Sequence, residues 1–135
     1  MLTVKTRIGP SAIEGMGLFA DEDITAGAVT WRYNPGIDQI LAPDVVTALP
    51  EPARSELLNH TYVHAPSGQP VLCADNARFM KHADNPNTQG VHADGAIEGY
   101  DVATRDIKHG EELTCDYRRF DAAHGAKLAR SALDD

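Results

Sequence analysis

The first eight residues of the chain alternate between two kinds of side chain. Leu2, Val4, Thr6 and Ile8 are separated by single polar or charged residues. A period of two is typical of a strand with one face buried, because successive side chains of a strand point to opposite sides. We expect this strand to end at residues 9–10, since a Gly-Pro pair interrupts regular structure.

Short apolar runs separated by turn residues predict further strands. Residues 16–20 and 27–33 are two of them, and an Asn-Pro-Gly turn at residues 34–36 closes the second. Residues 62–64 and 71–74 are predicted to pair across a turn that contains Pro, Ser and Gly. All of these runs are short, which favours small sheets.

The second half of the chain carries a strong hairpin signal, the Asp-Gly pair at residues 94–95. Asp-Gly suits a two-residue turn because both residues tolerate a positive φ. The pair lies between candidate strands at residues 88–93 and 96–98, and residues 100–105 and 112–116 supply two more. The sequence therefore predicts a mostly β domain built from several small sheets.

Helical spacing is confined to two stretches. Residues 43–59 are the best internal candidate, because three of their apolar residues are spaced by four and Pro52 suits the first turn of a helix that begins near Glu51. An amphipathic helix is also predicted in the tail beyond Tyr117. Four residues at four-residue intervals mark its stripe: Phe120, His124, Leu128 and Ala132.

Composition narrows the class of protein. The 135 residues suit one domain, and the hydrophobic content of 42% and charged content of 24% are near the averages for folded proteins. The formal net charge of −8 argues against direct nucleic-acid binding, because phosphate contacts need clustered Lys and Arg. An acidic surface favours cationic partners such as a Lys-rich peptide, although many soluble proteins are acidic without having one.

The two cysteines, Cys73 and Cys115, are far apart and show no CxxC spacing. A disulfide framework or a thiolate zinc site is therefore not expected, and a reducing compartment fits. Residues 1–5 begin a strand-like pattern rather than a signal peptide, and no apolar run approaches the roughly 20 residues of a membrane span. We expect a cytoplasmic protein with no membrane segment.

Two patterns could carry chemistry on residue type alone. Gly15 and Gly17 flank one residue, which permits close backbone approach to a ligand but serves an ordinary tight turn equally well. His60 and His64 are spaced by four, as metal ligands on a helix would be, which leaves open a small metal-dependent hydrolase. Residues 61–63 look like strand, however, and no third ligand with sensible spacing appears, so we expect no metal site.

Three motifs stand in a fixed order: GMGLFA at residues 15–20, RFMKHADNPN at residues 78–87 and GEELTCDY at residues 110–117. Together they resemble the SET-domain protein lysine methyltransferases, in particular minimal SET domains of bacterial or viral type. The resemblance runs from about Val4 to Tyr117. It implies a β-clip fold of short curved sheets, a threaded C-terminal pseudoknot and few short helices.

The resemblance also implies a domain organisation and an activity. The SET domain would cover residues 1–120, with a short helical insert at about 43–60, and residues 121–135 would form a C-terminal helical tail. Family members transfer a methyl group from S-adenosyl-L-methionine to a lysine side chain, so the implied partner is a basic, lysine-containing protein or peptide. A SET domain this small could complete its site by forming a homodimer.

Contacts to the cofactor are implied for two segments. The backbone of the Gly-x-Gly turn would meet the methionine end of the cofactor, and the family's Asn-His pair would contact it partly through main-chain groups. In this sequence the contacts map onto Glu14, Gly15, Met16, Gly17, Lys81 and His82. Outside its motif, a histidine such as His82 would more often be a buried, hydrogen-bonded core residue.

By the same resemblance, Tyr117 is the catalytic tyrosine and lies beside the cofactor. Tyr33 would line the narrow channel that admits the target lysine, and Tyr62 is a second candidate for that lining. Phe120 is the aromatic residue available to cover the cofactor, since the zinc-binding Cys clusters that follow many SET domains are absent. Without the motifs, both Tyr33 and Tyr117 would be read as core aromatics.

Departures from the family pattern keep a second interpretation open. Lys81 stands where the family has Asn, and Ala83 stands where it has Ser. Lysine has no hydrogen-bond acceptor, but its ammonium could pair with the cofactor carboxylate. These changes, with the missing aromatic module after the domain, suggest as the alternative a weak or inactive SET-like module that binds a protein or peptide.

Overall fold

A computed structural model describes residues 1–63, 68–91 and 99–116. Within them the chain forms four small sheets, two short α-helices and one 3-10 helix. The helices are α1 (Pro43–Thr47), α2 (Ala53–Asn59) and the 3-10 helix Asn76–Phe79. The strands are β1 (Thr6–Pro10), β2 (Met16–Ala20), β3 (Val29–Arg32), β4 (Gln39–Ile40), β5 (Thr61–Val63), β6 (Pro70–Leu72), β7 (Lys81–His82), β8 (Thr88–Val91), β9 (Tyr100–Ala103) and β10 (Thr114–Cys115).

The N-terminal strand differs from its prediction. It begins at Thr6 rather than near Leu2, although its end at Pro10 agrees with the expected end at residues 9–10. β1 and β2 pair antiparallel, from Thr6 opposite Ala20 to Pro10 opposite Met16. Proline is tolerated here because the ladder ends at this residue and the sheet has only two strands. The alternation also fails at Ile8, whose side chain is exposed.

Two three-stranded sheets account for most of the remaining strands, in the orders β3-β9-β8 and β4-β6-β5. The predicted pairing of residues 62–64 with 71–74 is confirmed in the antiparallel β5–β6 ladder. β8 pairs antiparallel with β9, from Thr88 opposite Ala103 to Val91 opposite Tyr100. The Asp-Gly turn at residues 94–95 and the segment 96–98 lie outside the described residues.

The predicted internal helix is present as two short helices. α1 and α2 both fall within residues 43–59 and are separated by the segment 48–52. Pro52 is the N-cap of α2, one position before the first helical residue, where its missing N–H costs nothing. No helix in the described part of the chain is long and apolar enough to cross a membrane. The predicted tail helix lies beyond residue 116 and is not described.

The core is assembled from segments that are far apart in sequence. Leu18 of β2, Ile107 and Leu113 are fully buried. Complete burial of such a side chain contributes about 1.5–3 kcal/mol relative to its exposed state. The same core cluster includes Ala20, Ile24, Met80, Ala103 and Cys115. The segment that contains Leu113 and Cys115 is therefore an interior element of the fold.

This C-terminal segment, residues 110–116, lies between β2 and β7. On one side Leu113 N–H donates to Leu18 O at 2.8 Å, and Ala20 N–H donates to Glu111 O at 2.9 Å. On the other side β10 pairs with β7 in parallel. The threaded arrangement expected from the resemblance is thus confirmed, and it brings two of the three sequence motifs to opposite edges of the third.

A buried carboxylate ties the start of the chain to this framework. Asp38 is 1% exposed and accepts hydrogen bonds from Ala74 N–H, Asn34 N–H and the Met1 ammonium, each at 2.9 Å. Burial alone would raise the pKa of Asp38. The three donors outweigh it and hold the pKa below the ordinary value of 3.8.

Candidate functional site

The Gly-x-Gly motif begins at Gly15 in the turn of the β1–β2 hairpin, residues 11–15, and continues into β2, where Met16 and Gly17 pair with Pro10 and Gly9. We call this end of the hairpin the Gly-x-Gly turn. Ser11 N–H donates to Gly15 O at 2.8 Å, and Gly15 has φ +47°, a left-handed conformation that suits glycine. Among the described residues, nothing lies within 4 Å of the point where a Gly15 side chain would begin. Glu14 is half-buried and Met16 is exposed. Within the described part of the chain, the turn is therefore open at Gly15, where a ligand can reach its backbone.

Gly17 is needed for a different reason, which is contact with the C-terminal segment. A Cβ atom at residue 17 would lie 2.5 Å from Glu112 Oε2 and 3.0 Å from Ser11 Cβ. The Ser11 hydroxyl donates to the Glu112 carboxylate, 2.8 Å from Oε2 and 3.0 Å from Oε1. The second glycine of the motif thus makes room for a side-chain link between the turn and residues 110–116.

The other flank of the C-terminal segment is held by Asn87. This residue is 3% exposed. Its Nδ2 donates to Glu112 O at 2.8 Å, and its Oδ1 accepts from Thr114 N–H at 2.9 Å. Thr88 Oγ1 adds a hydrogen bond to Thr114 O at 2.7 Å. These side-chain hydrogen bonds take the place of a regular strand ladder. They hold residues 112–114 against the 78–87 motif.

His82 lies at the point where the two motifs cross. It is the register partner of Cys115, and its side chain is 13% exposed. Nδ1 of the ring is 3.6 Å from Asp116 Oδ1, and Nε2 is 3.3 Å from Oδ1 of the exposed Asp84. Because both ring nitrogens face carboxylates, the protonated imidazole would form two ion pairs here.

Lys81 precedes His82 on β7 and is the register partner of Thr114. It is half-buried, and its carbonyl accepts a weak hydrogen bond from Cys115 Sγ at 3.7 Å. Neighbouring side chains of a strand point to opposite faces, so the Lys81 ammonium and the His82 ring lie on opposite faces of β7. An ammonium at this position is chemically suited to an anionic group of a ligand.

Of the proposed aromatic residues, the structure describes Tyr33 and Tyr62. Tyr33 is half-buried directly after β3, in the sheet that also contains β8, and Tyr62 is half-buried in β5. Tyr117 and Phe120 lie outside the described residues, which end at Asp116 beside the His82 ring. The structure thus brings the Gly-x-Gly turn and the Lys81-His82 strand to the same C-terminal segment.

Several residues that organise this region had no assigned role from sequence. Asn87, Glu112 and Asp116 belong to the motifs, so the motifs could have pointed to them. Ser11 has no motif signal, since its contact with Glu112 joins residues 101 positions apart. Only the fold reveals that Ser11, which lies outside the Gly-x-Gly motif, supports that motif.

The paired histidines at residues 60 and 64 gain no support as metal ligands. His60 is the C-cap of α2 and its ring packs edge-on against Phe79, with ring centroids 6.1 Å apart. His64 lies outside the described residues. Among residues 1–63, 68–91 and 99–116, no three His, Cys, Asp or Glu side chains are grouped as metal ligands would be.

Both cysteines are free and buried. Burial raises the pKa of the Cys73 thiol to about 12, with smaller contributions from the nearby carboxylates of Asp38 and Asp75. A thiol with this pKa remains protonated at neutral pH and is a poor nucleophile or metal ligand. Cys73 therefore serves as a packing residue.

Comparison with known proteins supports the motif assignment. The family model described as SET domain matches residues 15–118. A Schizosaccharomyces pombe protein named "Histone-lysine N-methyltransferase, H3 lysine-4 specific" is 31% identical over 116 residues. The match covers 82% of this chain and 12% of that protein, so the chain spans a small part of its relative's length.

Solved structures share the fold. A Plasmodium falciparum protein provisionally named a histone methyltransferase superposes with a TM-score of 0.58 at 17% identity, covering 86% of this chain and 95% of that one. Chaetomium thermophilum Polycomb Repressive Complex 2 bound to GSK126 gives 0.65 at 23% identity, covering 94% and 17%. The same complex, autoinhibited and bound to S-adenosylmethionine, gives 0.61 at 21% identity, again covering 94% and 17%. Because the family model matches residues 15–118, the chain belongs to the SET-domain family.

Proposed function

We propose that the protein transfers a methyl group from S-adenosyl-L-methionine to lysine side chains of a protein substrate. The observation that carries this proposal is the position of residues 110–116. Their backbone and side chains bind the Gly-x-Gly turn on one side and the Lys81-His82 strand on the other. These are the two segments to which the family resemblance assigns the cofactor, and they converge at one crossing.

The residues present fit the cofactor. Within the described residues the turn is open at Gly15, and the backbone of Glu14, Gly15, Met16 and Gly17 would offer main-chain groups beside this opening. The Lys81 ammonium offers a counter-charge for the methionine carboxylate, in place of the family's Asn. His82, held at the crossing, would contribute main-chain contacts beside them. Phe120 is proposed to cover the bound cofactor from the tail.

The cofactor supplies an activated methyl group, and the protein's part is alignment and charge. Methyl transfer is an in-line displacement, so the amine must be held behind the methyl carbon and must be neutral. A channel lined by Tyr33 would disfavour the ammonium form of the entering lysine. Tyr117, as a phenol with a reference pKa of about 10, would orient the amine rather than act as a base.

The proposed substrate is a basic segment of a protein. The net charge of −8 would attract a lysine-rich tail and would repel nucleic acid. The S. pombe relative is named for lysine 4 of histone H3, and a histone-like tail would suit the acidic surface of this chain as well. Specificity for any one lysine would depend on the channel and on contacts beside it.

We also propose that residues 1–120 form the SET domain, with the α1–α2 region as its insert and residues 121–135 as a helical tail. A homodimer that completes the site remains part of this proposal, and sedimentation velocity would test it. The placement in the cytoplasm stays a prediction from sequence, which cell fractionation would test. The free cysteines suit any reducing compartment.

The direct test is transfer of a radiolabelled methyl group from S-adenosylmethionine into proteins of a lysate or into histones. Tyr117→Phe is the matched variant, because it removes one hydroxyl and retains the ring. We expect labelling of lysine in the wild type and a loss of about a hundredfold or more in the variant. Equal labelling by both proteins would contradict the role of Tyr117.

The alternative is a SET-like module that binds a lysine-containing peptide with little or no catalysis. Lys81 and Ala83 favour it, because both depart from the cofactor motif. Calorimetric titration with S-adenosylmethionine separates the two functions. Absence of binding heat and of a thermal shift at millimolar cofactor would favour the binding module over the enzyme.

A further inference from the structure

Glu112 accepts hydrogen bonds both through its side chain and through its main chain. Its carboxylate accepts a hydrogen bond from the Ser11 hydroxyl at the Gly-x-Gly turn. Its carbonyl oxygen accepts a hydrogen bond from Asn87 Nδ2 in the 78–87 motif. A single residue of the third motif is therefore joined to both of the other two.

The link to Ser11 controls the shape of the turn. A serine hydroxyl has one proton to donate, and here that proton is directed to Glu112. The same oxygen accepts from Ile13 N–H at 3.0 Å and lies 3.4 Å from Glu14 N. Because Glu112 orients the hydroxyl, its lone pairs are directed to the backbone that precedes Gly15.

The fit at Gly17 shows that the carboxylate is closely packed. A Cβ at that residue would lie 2.5 Å from Oε2 and 3.0 Å from Cδ of Glu112. The main chain of Phe19 also bridges to that of Glu112, which ties the backbone of this residue to β2. The turn, the Glu112 carboxylate and residues 110–116 are thus in direct contact.

We propose that Glu112 is a positioning residue that sets the Gly-x-Gly turn relative to the Lys81-His82 strand, and thereby the affinity for S-adenosylmethionine. This inference rests on the proposed function, because it assumes that both segments meet the same cofactor. Glu112 acts through Ser11 and does not itself touch the ligand. A misplaced turn would offer its main-chain groups at the wrong distance from the cofactor.

The test measures S-adenosylmethionine binding by calorimetry for the wild type, Glu112→Ala, Glu112→Gln and Ser11→Ala. The dissociation constant should rise about tenfold in Glu112→Ala and Ser11→Ala, as expected for loss of a hydrogen bond to a charged group. Glu112→Gln retains an acceptor for Ser11 and should stay within about threefold of the wild type. Glu111→Gln is the matched control, since the neighbouring carboxylate is exposed and contacts Lys108 N–H instead.

A purely structural role for Glu112 makes a different prediction. In that case unfolding free energy would fall while the affinity of the folded protein stayed the same, so urea unfolding is measured on each variant. A double variant adds a second readout. Gly17→Ala should weaken binding through its clash with the carboxylate, and adding Glu112→Ala should cause less than additive loss. Unchanged affinity in Glu112→Ala, or additive losses in the double variant, would overturn the proposal.

Failure of the proposed function would look different. If the wild type binds no S-adenosylmethionine, the enzyme proposal fails, and the positioning role is judged on the free protein. Amide hydrogen exchange at Ile13 and Glu14 should be several-fold faster in Glu112→Ala than in Glu111→Gln, because the Ser11 hydroxyl loses its orientation. Equal exchange rates in the two variants would also overturn the role of Glu112.

Discussion

The side-chain amide of Asn87 acts as a strand partner for Thr114. Oδ1 accepts the Thr114 N–H at 2.9 Å, while Nδ2 donates to the carbonyl of Glu112 at 2.8 Å. The Asn87 backbone N–H also lies 3.2 Å from Thr114 Oγ1. One buried residue thus satisfies main-chain groups of both Glu112 and Thr114.

Asn87→Asp should therefore destabilise the fold although the two side chains have nearly the same shape. The carboxylate keeps the acceptor for Thr114 but places an oxygen against the Glu112 carbonyl, in a site that is 3% exposed. We expect a loss of about 2–4 kcal/mol in unfolding free energy, measured by urea titration. Asn85→Asp is the control, because Asn85 is exposed. Similar losses in the two variants would refute this account of Asn87.

Asp38 should make stability depend on pH in the acid range. Its pKa is below the ordinary 3.8 in the folded state, so the unfolded chain binds a proton more readily. The stabilisation is complete above pH 3.8 and is lost as the pH falls through the lower folded pKa. Asp38→Asn should cost about 1–3 kcal/mol at pH 7, and the difference from the wild type should shrink below pH 4.

The matched control for Asp38 is Asp44→Asn in α1, where the carboxylate is exposed. Urea unfolding at several pH values compares the two variants with the wild type. The account of Asp38 would be wrong if both variants had the same midpoint at pH 7. It would also be wrong if the difference between Asp38→Asn and the wild type increased on acidification.

Cys73 should resist thiol reagents in the folded protein. With a pKa of about 12, the fraction present as thiolate at pH 8 is about one in ten thousand. Iodoacetamide at pH 8 should therefore label Cys73 only when the protein unfolds, as shown by peptide mapping that separates it from Cys115. Labelling in guanidinium chloride is the control. Rapid labelling of the native protein would contradict the burial of this thiol.

Local sequence patterns predicted those elements whose partners are near in sequence. The β5–β6 pair and β2 were predicted because turn residues bracket short apolar runs. The burial pattern of β1 was not predictable, because Ile8 is exposed although it is the central residue of a strand in a two-stranded sheet. Burial there depends on what covers the sheet, and the alternating pattern contains no information about that.

The candidate site, too, was predictable from sequence only in part. The motifs located the segments, and the resemblance supplied their order and the threaded topology. The support between the segments could not be predicted, since Ser11 and Glu112 are 101 positions apart and no periodicity links them. Asn87 was visible as part of a motif, but its function as a substitute strand partner follows only from its burial and its contacts with residues 112–114.

Lys81 offers the sharpest test of the proposed binding of S-adenosylmethionine, because the family resemblance places Asn at this position. If the ammonium pairs with the cofactor carboxylate, Lys81→Met should weaken S-adenosylmethionine binding by about tenfold or more, as expected for a charge-assisted hydrogen bond. Lys81→Asn should lose less, since Asn restores the family's donor and acceptor. Calorimetry with decarboxylated S-adenosylmethionine is the control, because this ligand lacks the proposed partner of the ammonium. Lys81→Met should bind the decarboxylated ligand as tightly as the wild type does. An equal loss of affinity for both ligands would show that Lys81 does not pair with the carboxylate.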